Sequence, residues 1–564
     1  MQGHAKKWAI AAALLAFALL RLTAVDRVAF NWDEFAIWND VVKTAEEGVL
    51  HSGGHAGLPQ AVLLPIAEDC TDEIAVSRHG RLAWLALTWV ALAGVFTLFF
   101  QLLPATPHRV HDAALGTALL GLAPVFLEWS IQVRTDQVAL AGGAWGAAAC
   151  VASRRRPALA LVAGLCFGVG WLGTQKVAYI AALAFVLAVG DHFVRREWRV
   201  SRELLRVGAL AVGVAAVVLG WAAFVSAAFA VREAHPALSG TQSVSAYLDL
   251  FTFYRKTIGY SQYVAALPML GIHIAVFVAM VATTIAAPVA RDRRLAVAWA
   301  AALVAIVVGA FHGAAFAYFL MILGFLVCTA LTLALPAIRT ALEAGFPDAG
   351  RLATPVVWGG LILFAALHSI DSLRDTQAVQ RESLGFVHRS FAADDAGFHP
   401  EKALFCDVNQ PMRLWFSQHI YQAFENENRE KQIAGWIRRF REEPVYYLVQ
   451  SFRLNQFPVE IRRFWGDHYQ PYRDAVFIAG RHFAGNAGDR EGFDLLIDAT
   501  YRWLPSGPAD PIHVDGKAVT PGGTLFLDAG EHEAEFTADG SRGILVLAVD
   551  EPPRKAPLPF YKDY

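Results

Sequence analysis

Residues 21–48 read RLTAVDRVAFNWDEFAIWNDVVKTAEEG and connect the end of an apolar run to a polar helical segment. Asp33 and Glu34 stand side by side just after the apolar run. Two ionised carboxylates next to hydrocarbon are costly and have no obvious packing role. From Phe35 onward, apolar residues recur at helical spacing with polar residues between them. The stretch therefore predicts a helix on a membrane surface with a carboxylate pair at its start.

The composition of the whole chain agrees with a membrane location. Of its 564 residues, 55% are hydrophobic, and the mean hydropathy is +0.39. These values are too high for an ordinary soluble domain of this size. A formal net charge of -2 excludes a basic nucleic-acid binder. We therefore expect an integral membrane protein that has the lipid bilayer, and no nucleic acid, as a partner.

About eleven hydrophobic segments are candidates for membrane spans. They are residues 8–25, 82–103, 112–127, 137–152, 157–172, 175–190, 207–231, 264–288, 295–311, 316–336 and 353–370. Basic residues concentrate in every second short loop, and the positive-inside rule assigns those loops to the cytoplasm. The sequence thus predicts an α-helical polytopic protein of the cell inner (plasma) membrane. Its amino terminus is cytoplasmic, and the 26–81 loop and everything after residue 371 face the periplasm or its extracellular equivalent.

The character of the sequence changes after residue 370. Charged residues and turn signals become frequent, and stretches such as VYYLVQSF (445–452) alternate with polar helical runs. Beyond residue 500, apolar and polar residues alternate between Asp-Gly and Gly-Gly turns. We predict a transmembrane domain over 1–370, a periplasmic α/β region over 371–500 and a small β-sandwich-like unit over 501–564.

Two of the five cysteines, Cys70 and Cys406, fall in segments predicted to face outward. An oxidising compartment permits a disulfide between them. The sequence leaves open whether they pair.

Two further outward loops carry charged residues. The segment EWSIQVRTDQVAL places Arg134 and Asp136 after the third span, and WLGTQKVAYI places Gln175 and Lys176 after the fifth. Lys176 runs against the positive-inside trend, so we expect it to have an anionic partner. Lysine and arginine suit a phosphate in a partly dry site, whereas carboxylates suit proton transfer. The loops together indicate sugar transfer from a lipid-phosphate carrier.

These motifs resemble those of the polyprenyl-phosphate-dependent membrane glycosyltransferases of the GT-C superfamily. That group contains the protein O-mannosyltransferases (glycosyltransferase family 39) and the lipid A aminoarabinose transferases. Its members carry an acidic pair after an Arg-Leu span end, matched by Arg21-Leu22 and by Asp33 with Glu34. They often carry an Arg-x-Asp after the third span, matched by Arg134 and Asp136.

A third motif of the family is a Gly-rich span that ends in Thr-Lys. Here it is matched by GLCFGVGWLGTQK (164–176), with Gln175 inserted before Lys176. The insertion leaves open which of the two residues fills the position of the family lysine. The resemblance covers roughly residues 8–190 by motif and 191–370 by hydropathy alone.

The resemblance implies transfer of a hexosyl or pentosyl group from a polyprenyl-phosphate donor to a lipid, glycan or protein acceptor. It implies that Asp33 is the general base, while Glu34 positions the acceptor or helps to hold a cation. Arg134 and Lys176 would grip the leaving phosphate, and Asp136 would orient Arg134 or contact the sugar. No cofactor is certain, and a divalent cation is left open.

Other residues are weaker candidates for substrate or metal contacts. His312 lies in an outward turn, and Arg255 and Tyr260 belong to a basic-aromatic cluster in an outward loop. Each could contact the substrate, although a polar cavity residue and a solvated amphipathic helix are the respective structural alternatives. His51 and His55 could ligate a metal, but the two glycines between them favour a loop.

The main candidates also have structural interpretations. Asp33 could cap the helix that follows it, and Asp136 could cap the fourth span. Lys176 could be a lysine that extends its ammonium group from a helix end toward water.

Two other functions compete with the glycosyltransferase. A transporter or flippase of lipid-linked sugars also has many spans, but transporters tend to place ionisable residues at mid-membrane and to show repeated halves. A membrane-anchored envelope assembly protein would have its function in the 371–564 region.

Overall fold

The computed structural model describes most of the chain. The described residues are 18–19, 21–51, 56–67, 70–195, 200–229, 264, 271–286, 293–312, 317–345, 347–372, 374–400, 403–406, 420, 423–425, 428–506, 510–554 and 560. The predicted substrate residues Arg255 and Tyr260, the predicted metal ligand His55 and most of the predicted first span lie outside them.

The chain divides into two compact units. The first comprises Met1–Val28, Lys43–Glu68 and Ser77–Arg374, and the second comprises Ala29–Val42, Asp69–Val76 and Asp375–Tyr564. The segment that carries Asp33 and Glu34 therefore belongs to the same unit as the carboxyl-terminal region. The sequence assigned it to a continuous 1–370 domain, because hydropathy does not show which distant segment a short polar stretch packs against.

Helices form almost all of the described part of the first unit. Among the described residues, each hydrophobic segment predicted after residue 80 falls largely on helix, with the 112–127 segment divided between two. These helices are α3 (Glu73–Leu102), α4 (Arg109–Gly121), α5 (Pro124–Trp129), α6 (Thr135–Ala152), α7 (Leu159–Gly173), α8 (Val177–Arg195), α9 (Val200–Ala228), α10 (Gly271–Ala286), α11 (Arg293–Phe311), α12 (Leu320–Gly345) and α13 (Pro347–Ser372). They follow α1 (Trp32–Glu47) and α2 (Leu58–Ala67).

Four stretches of the described helices are long and apolar enough to cross a membrane, judged by length and composition. They are Glu73–Leu102, Arg202–Ala228, Arg293–Ala310 and Leu320–Gly345. Shorter apolar helices accompany them, among them Leu159–Gly173 and Gly271–Ala286. The buried face of the unit is built from alanine, leucine, valine and phenylalanine side chains of these helices.

The described residues of the second unit form two β-sheets and include the helices α14 (Ala378–Ser390), α15 (Arg429–Glu442) and α16 (Val459–His468). One sheet has seven strands in the order β1-β2-β4-β11-β6-β9, with β3 paired to β4, and the other has four in the order β5-β10-β7-β8. The strands are β1 (Gly397–Phe398), β2 (Tyr447–Val449), β3 (Tyr469–Arg473), β4 (Val476–Gly485), β5 (Arg490–Leu495), β6 (Ala499–Pro505), β7 (Ile512–Val514), β8 (Lys517–Val519), β9 (Thr524–Leu527), β10 (Gly530–Phe536) and β11 (Ser541–Leu547).

Strand pairing crosses the boundary predicted at residue 500. Strand β4 pairs antiparallel with β11, and β5 pairs antiparallel with β10, so each sheet contains strands from both sides of that boundary. The Asp-Gly turn signal did locate a hairpin: Asp515 (φ 50°) and Gly516 (φ 74°) connect β7 to β8. Two positive φ angles in succession are typical of the type I′ turn that joins adjacent antiparallel strands.

Candidate functional site

The first turn of α1 carries the predicted catalytic carboxylates, and Asn31 caps it. The Asn31 Oδ1 atom accepts a hydrogen bond from the backbone N–H of Asp33 at 2.8 Å. In return, the backbone N–H of Asn31 donates to Oε2 of Glu34 at 3.0 Å. This reciprocal pair is a capping box, which satisfies backbone donors that a helix leaves without internal partners. The alternative that Asp33 caps the helix is therefore wrong, because Asn31 holds that position.

Phenylalanines on either side of the cap complete this arrangement. The rings of Phe30 and Phe35 pack edge to face with centroids 5.6 Å apart, as in the hydrophobic staple that fixes how the chain enters a helix. Glu34 is fully buried and serves the cap, whereas Asp33 is partly exposed. Of the two carboxylates, Asp33 is thus the one that reaches solvent.

Aromatic and basic side chains of the second unit surround the start of α1. The guanidinium carbon of Arg453 lies 4.2 Å from the ring centroid of Trp32. The Phe405 ring packs against the rings of Phe35 and Trp38 at 6.1 and 6.4 Å. These contacts fix the buried face of the helix within that unit.

Arg134, Asp136 and Lys176 come together in the first unit. The Lys176 Nζ atom donates to Asp136 Oδ1 at 2.7 Å, and Arg134 Nε lies 3.9 Å from Asp136 Oδ2. The side chains of Arg134 and Asp136 are 5% and 2% exposed, and that of Lys176 is 15% exposed. Asp136 lies in the first turn of α6, and Arg134 is the N-cap residue of that helix. The alternative that Asp136 is the cap is therefore wrong.

Aromatic rings line the same cluster. The Tyr318 ring lies 3.5 Å from the Arg134 guanidinium carbon and 4.6 Å from the Lys176 ammonium nitrogen. The Trp129 ring lies 5.5 Å from the same Arg134 carbon and packs edge to face on Tyr318. Such rings attract cations with their electron-rich faces and exclude water. We call Trp129, Arg134, Asp136, Lys176 and Tyr318 the cation cluster.

Close packing of α7 against α6 brings the parts of the cluster together. A Cβ atom added at Gly142 would lie 2.5 Å from the Cys166 carbonyl oxygen. One added at Gly173 would lie 2.9 Å from the Thr135 carbonyl oxygen. Only glycine allows these backbone approaches, since real Cβ contacts are longer. The Gly-rich sequence of α7 thus sets the end of that helix against the start of α6, within reach of Lys176.

Gln175 and Lys176 differ in surroundings although they are neighbours in sequence. Gln175 is exposed, whereas Lys176 contacts Asp136 and Tyr318. Of the two residues, Lys176 is therefore the one whose side chain lies in the cation cluster.

His312 is buried beside the cation cluster. Its Nδ1 atom lies 3.2 Å from the Tyr179 hydroxyl oxygen, and its ring stacks on Phe319 with centroids 3.8 Å apart. Burial, and then the Lys176 charge, lower the pKa of His312 to about 3, although the Asp136 carboxylate opposes this shift. The ring is therefore neutral near pH 7 and adds no charge to the cluster.

Of the two predicted metal ligands, His51 is described and His55 lies outside the described residues. The His51 Nε2 atom pairs with Glu47 at 3.0 Å on the same stretch of chain. In the described parts of the chain, no three His, Cys, Asp or Glu side chains come together as a metal ion requires. The divalent cation that the sequence left open has no ligands assigned to it.

Sequence reasoning missed Asn31, Trp129, Tyr179 and Tyr318. The Asn31 cap had a signal, because Asn followed three residues later by Glu before an apolar run marks a helix start. Trp129 lies within the segment that supplied Arg134, where an aromatic ring near a membrane boundary is common. Tyr179 and Tyr318 gave no local signal, because packing between distant helices determines their contacts.

Comparison with known proteins gives similarity to solved structures. No family model matches the chain, and no curated protein matches it. The chain is similar to the crystal structure of ArnT from Cupriavidus metallidurans bound to undecaprenyl phosphate, with 14% sequence identity and a TM-score of 0.49. The similarity covers 80% of this chain and 94% of that one. At this identity and TM-score, the similarity transfers no residue role and no substrate.

Proposed function

We propose that the protein is an integral membrane glycosyltransferase that moves a sugar from a polyprenyl-phosphate carrier to an acceptor. The cation cluster is the observation that carries this proposal. The Arg134 guanidinium and the Lys176 ammonium, both largely buried, lie beside Asp136 in a site lined by aromatic rings. A phosphate headgroup would make charge-assisted contacts with Lys176 and Arg134, and burial strengthens such contacts.

The cluster suits a leaving phosphate better than a purely structural role. As the bond between the sugar C1 and the phosphate oxygen breaks, negative charge grows on that oxygen, and cations already in position stabilise it. Asp136 holds the Lys176 ammonium at 2.7 Å. It can therefore keep the lysine oriented before the donor binds. A lysine that merely extends toward water would not need a buried carboxylate partner.

Asp33 is proposed as the general base. Its carboxylate takes the proton from an acceptor hydroxyl, the hydroxyl oxygen bonds to the sugar C1, and polyprenyl phosphate leaves with the electrons of the broken bond. Glu34 is buried within the capping box, so its proposed role is to hold the first turn of α1 in place rather than to bind a cation. Partial exposure of Asp33 supports this division of roles.

We also propose that the chemistry takes place on the outer face of the inner membrane. Cys70 and Cys406 form a disulfide, with Cα atoms 5.2 Å apart. Disulfides persist in oxidising compartments and are rare in the cytosol. The basic short loops predict the same orientation, with the amino terminus inside and the second unit in the periplasm. That unit would then control access of the lipid, glycan or protein acceptor.

A turnover experiment tests the proposal. The full chain in lipid nanodiscs is given polyprenyl-phosphate sugars and a mixture of candidate acceptors, and the products are identified by mass spectrometry. The proposal predicts free polyprenyl phosphate together with a glycosylated acceptor. If the labelled donor instead crosses a sealed vesicle membrane unchanged and no product forms, the protein is a transporter and the proposal fails.

A further inference from the structure

The segment before α1 is held by side chains of α14 and of the residues just before that helix. The backbone N–H of Phe30 donates to Gln380 Oε1 at 2.7 Å, and Gln380 Nε2 donates to the Phe30 carbonyl oxygen at 2.9 Å. One residue earlier, the backbone N–H of Ala29 donates to Thr376 Oγ1 at 3.0 Å. A single amide thus satisfies both backbone groups of Phe30, as a neighbouring strand would do.

Both residues of this hydrogen-bonded pair are buried. Gln380 is 0% exposed and Phe30 is 1% exposed. Buried backbone groups need partners, and few other groups can replace a glutamine that donates and accepts at once. Phe30 is the residue directly before the Asn31 cap and is half of the staple with Phe35. Gln380 therefore fixes the point from which the first turn of α1 begins.

We propose that Gln380 is a positioning residue for the Asp33 carboxylate. This inference rests on the proposed function, in which Asp33 must stand in line with the acceptor hydroxyl. Gln380 acts through Phe30 and the capping box, and it does not touch the reacting atoms. The carboxyl-terminal region thereby contributes to the chemistry, although no acid or base is assigned to it.

Loss of the hydrogen bonds between Gln380 and Phe30 should change kcat without changing the KM for the lipid donor. A displacement of about 1 Å at a reacting group can cost about 10²-fold in rate. Arg134 and Lys176 are assigned to the donor phosphate and belong to the first unit, whereas Gln380 belongs to the second. Removing the amide should therefore lower kcat and leave the KM for the lipid donor unchanged.

Gln377, the N-cap residue of α14, provides a matched control. It is also a buried glutamine, 2% exposed, and its Oε1 atom accepts a hydrogen bond from Arg381 rather than from the Phe30 backbone. Gln380→Met keeps the length of the side chain but removes both hydrogen bonds. Gln380→Glu keeps the acceptor for the Phe30 N–H and removes the donor to its carbonyl oxygen.

The test compares these variants as full chains in nanodiscs, by turnover and by hydrogen exchange of the backbone amides of residues 30–35. Gln380→Met should lower kcat roughly 10–100-fold with donor KM unchanged and should speed exchange in that segment. Gln380→Glu should show a smaller loss, and Gln377→Met should match the wild type in both readouts.

Wild-type kcat in Gln380→Met, or an equal loss in Gln377→Met, would overturn the inference. If Gln380→Met does not fold, Gln380→Glu decides, and wild-type kcat and exchange in that variant would likewise overturn it. Absence of turnover in the wild type would refute the proposed function, whereas exchange would still show whether Gln380 holds the segment.

Discussion

Replacing Lys176 by methionine separates the cation cluster's proposed binding role from its structural one. Methionine keeps most of the volume of the lysine stem but has no ammonium group to place 2.7 Å from Asp136. Arg134 remains 3.9 Å from the same carboxylate. The variant therefore keeps the Arg134–Asp136 pair and removes one positive charge from the cation cluster.

The expected loss of donor binding follows from the contact that is removed. A hydrogen bond to a charged group contributes about 1.5–3 kcal/mol, so polyprenyl phosphate should bind about 10- to 150-fold more weakly. Removing one partner of a buried ion pair can cost about 3–5 kcal/mol of stability. We expect less than about 3 kcal/mol here, because Arg134 still neutralises Asp136.

The assay is equilibrium binding of polyprenyl phosphate to the protein in nanodiscs, with thermal unfolding of each variant measured in parallel. The exposed neighbour supplies the control, since Gln175→Ala should bind like the wild type. The double variant Asp136→Leu with Lys176→Met should be less stable than Lys176→Met and should not recover binding, because it also takes the Asp136 carboxylate away from the buried Arg134 guanidinium. Wild-type affinity in both Lys176→Met and Arg134→Gln would refute the phosphate site.

Three further predictions concern the disulfide, helix packing and pH. Cys406→Ser should lower the free energy of unfolding by about 2–4 kcal/mol, and a linked Cys70–Cys406 peptide should appear in unreduced digests of membranes; free thiols at both positions would contradict an outward location. Gly173→Ala should lower the free energy of unfolding by roughly 1–3 kcal/mol, because the new methyl group meets neighbouring backbone. Gly359→Ala is the control: it has open space at its Cα, so thermal unfolding should show a neutral or slightly stabilising effect. Burial lowers the pKa of His399 from 6.5 to about 3, so the unfolded chain binds more protons than the folded chain below pH 6.5. The free energy of unfolding should therefore fall by about 2 kcal/mol between pH 8 and pH 5. His399→Gln should remove this part of the dependence of stability on pH, and an unchanged dependence would contradict the assignment.

Local patterns in the sequence predict much of the helical unit and one contact of the site. Hydropathy located the long apolar helices, and the Gly-rich run before Thr174 marked the helix that approaches α6 closely. The expectation that Lys176 needs an anionic partner is confirmed by Asp136. Lys176 lies in a short loop of the set that otherwise carries few basic residues, so a need for an anionic partner could be inferred without knowledge of the fold.

Contacts between distant segments could not be predicted in the same way. The hydrogen bonds between Gln380 and Phe30 join residues 350 positions apart, and no periodicity or spacing in the sequence predicts them. Burial of Glu34 depends on the cap at Asn31 and on packing of the second unit. The sequence therefore indicated two similar carboxylates, whereas the fold gives them different surroundings.

Turnover of Asp33→Asn, measured beside the wild type, tests the central claim most directly. The helix cap belongs to Asn31, so the variant should lose at most about 1 kcal/mol from a weaker interaction with the helix dipole. An amide cannot accept the acceptor's proton, and loss of a general base costs about 10²–10⁴-fold in rate. We predict normal expression and thermal stability, unchanged donor binding and a fall in kcat of that size. Near-wild-type turnover in Asp33→Asn would contradict the account.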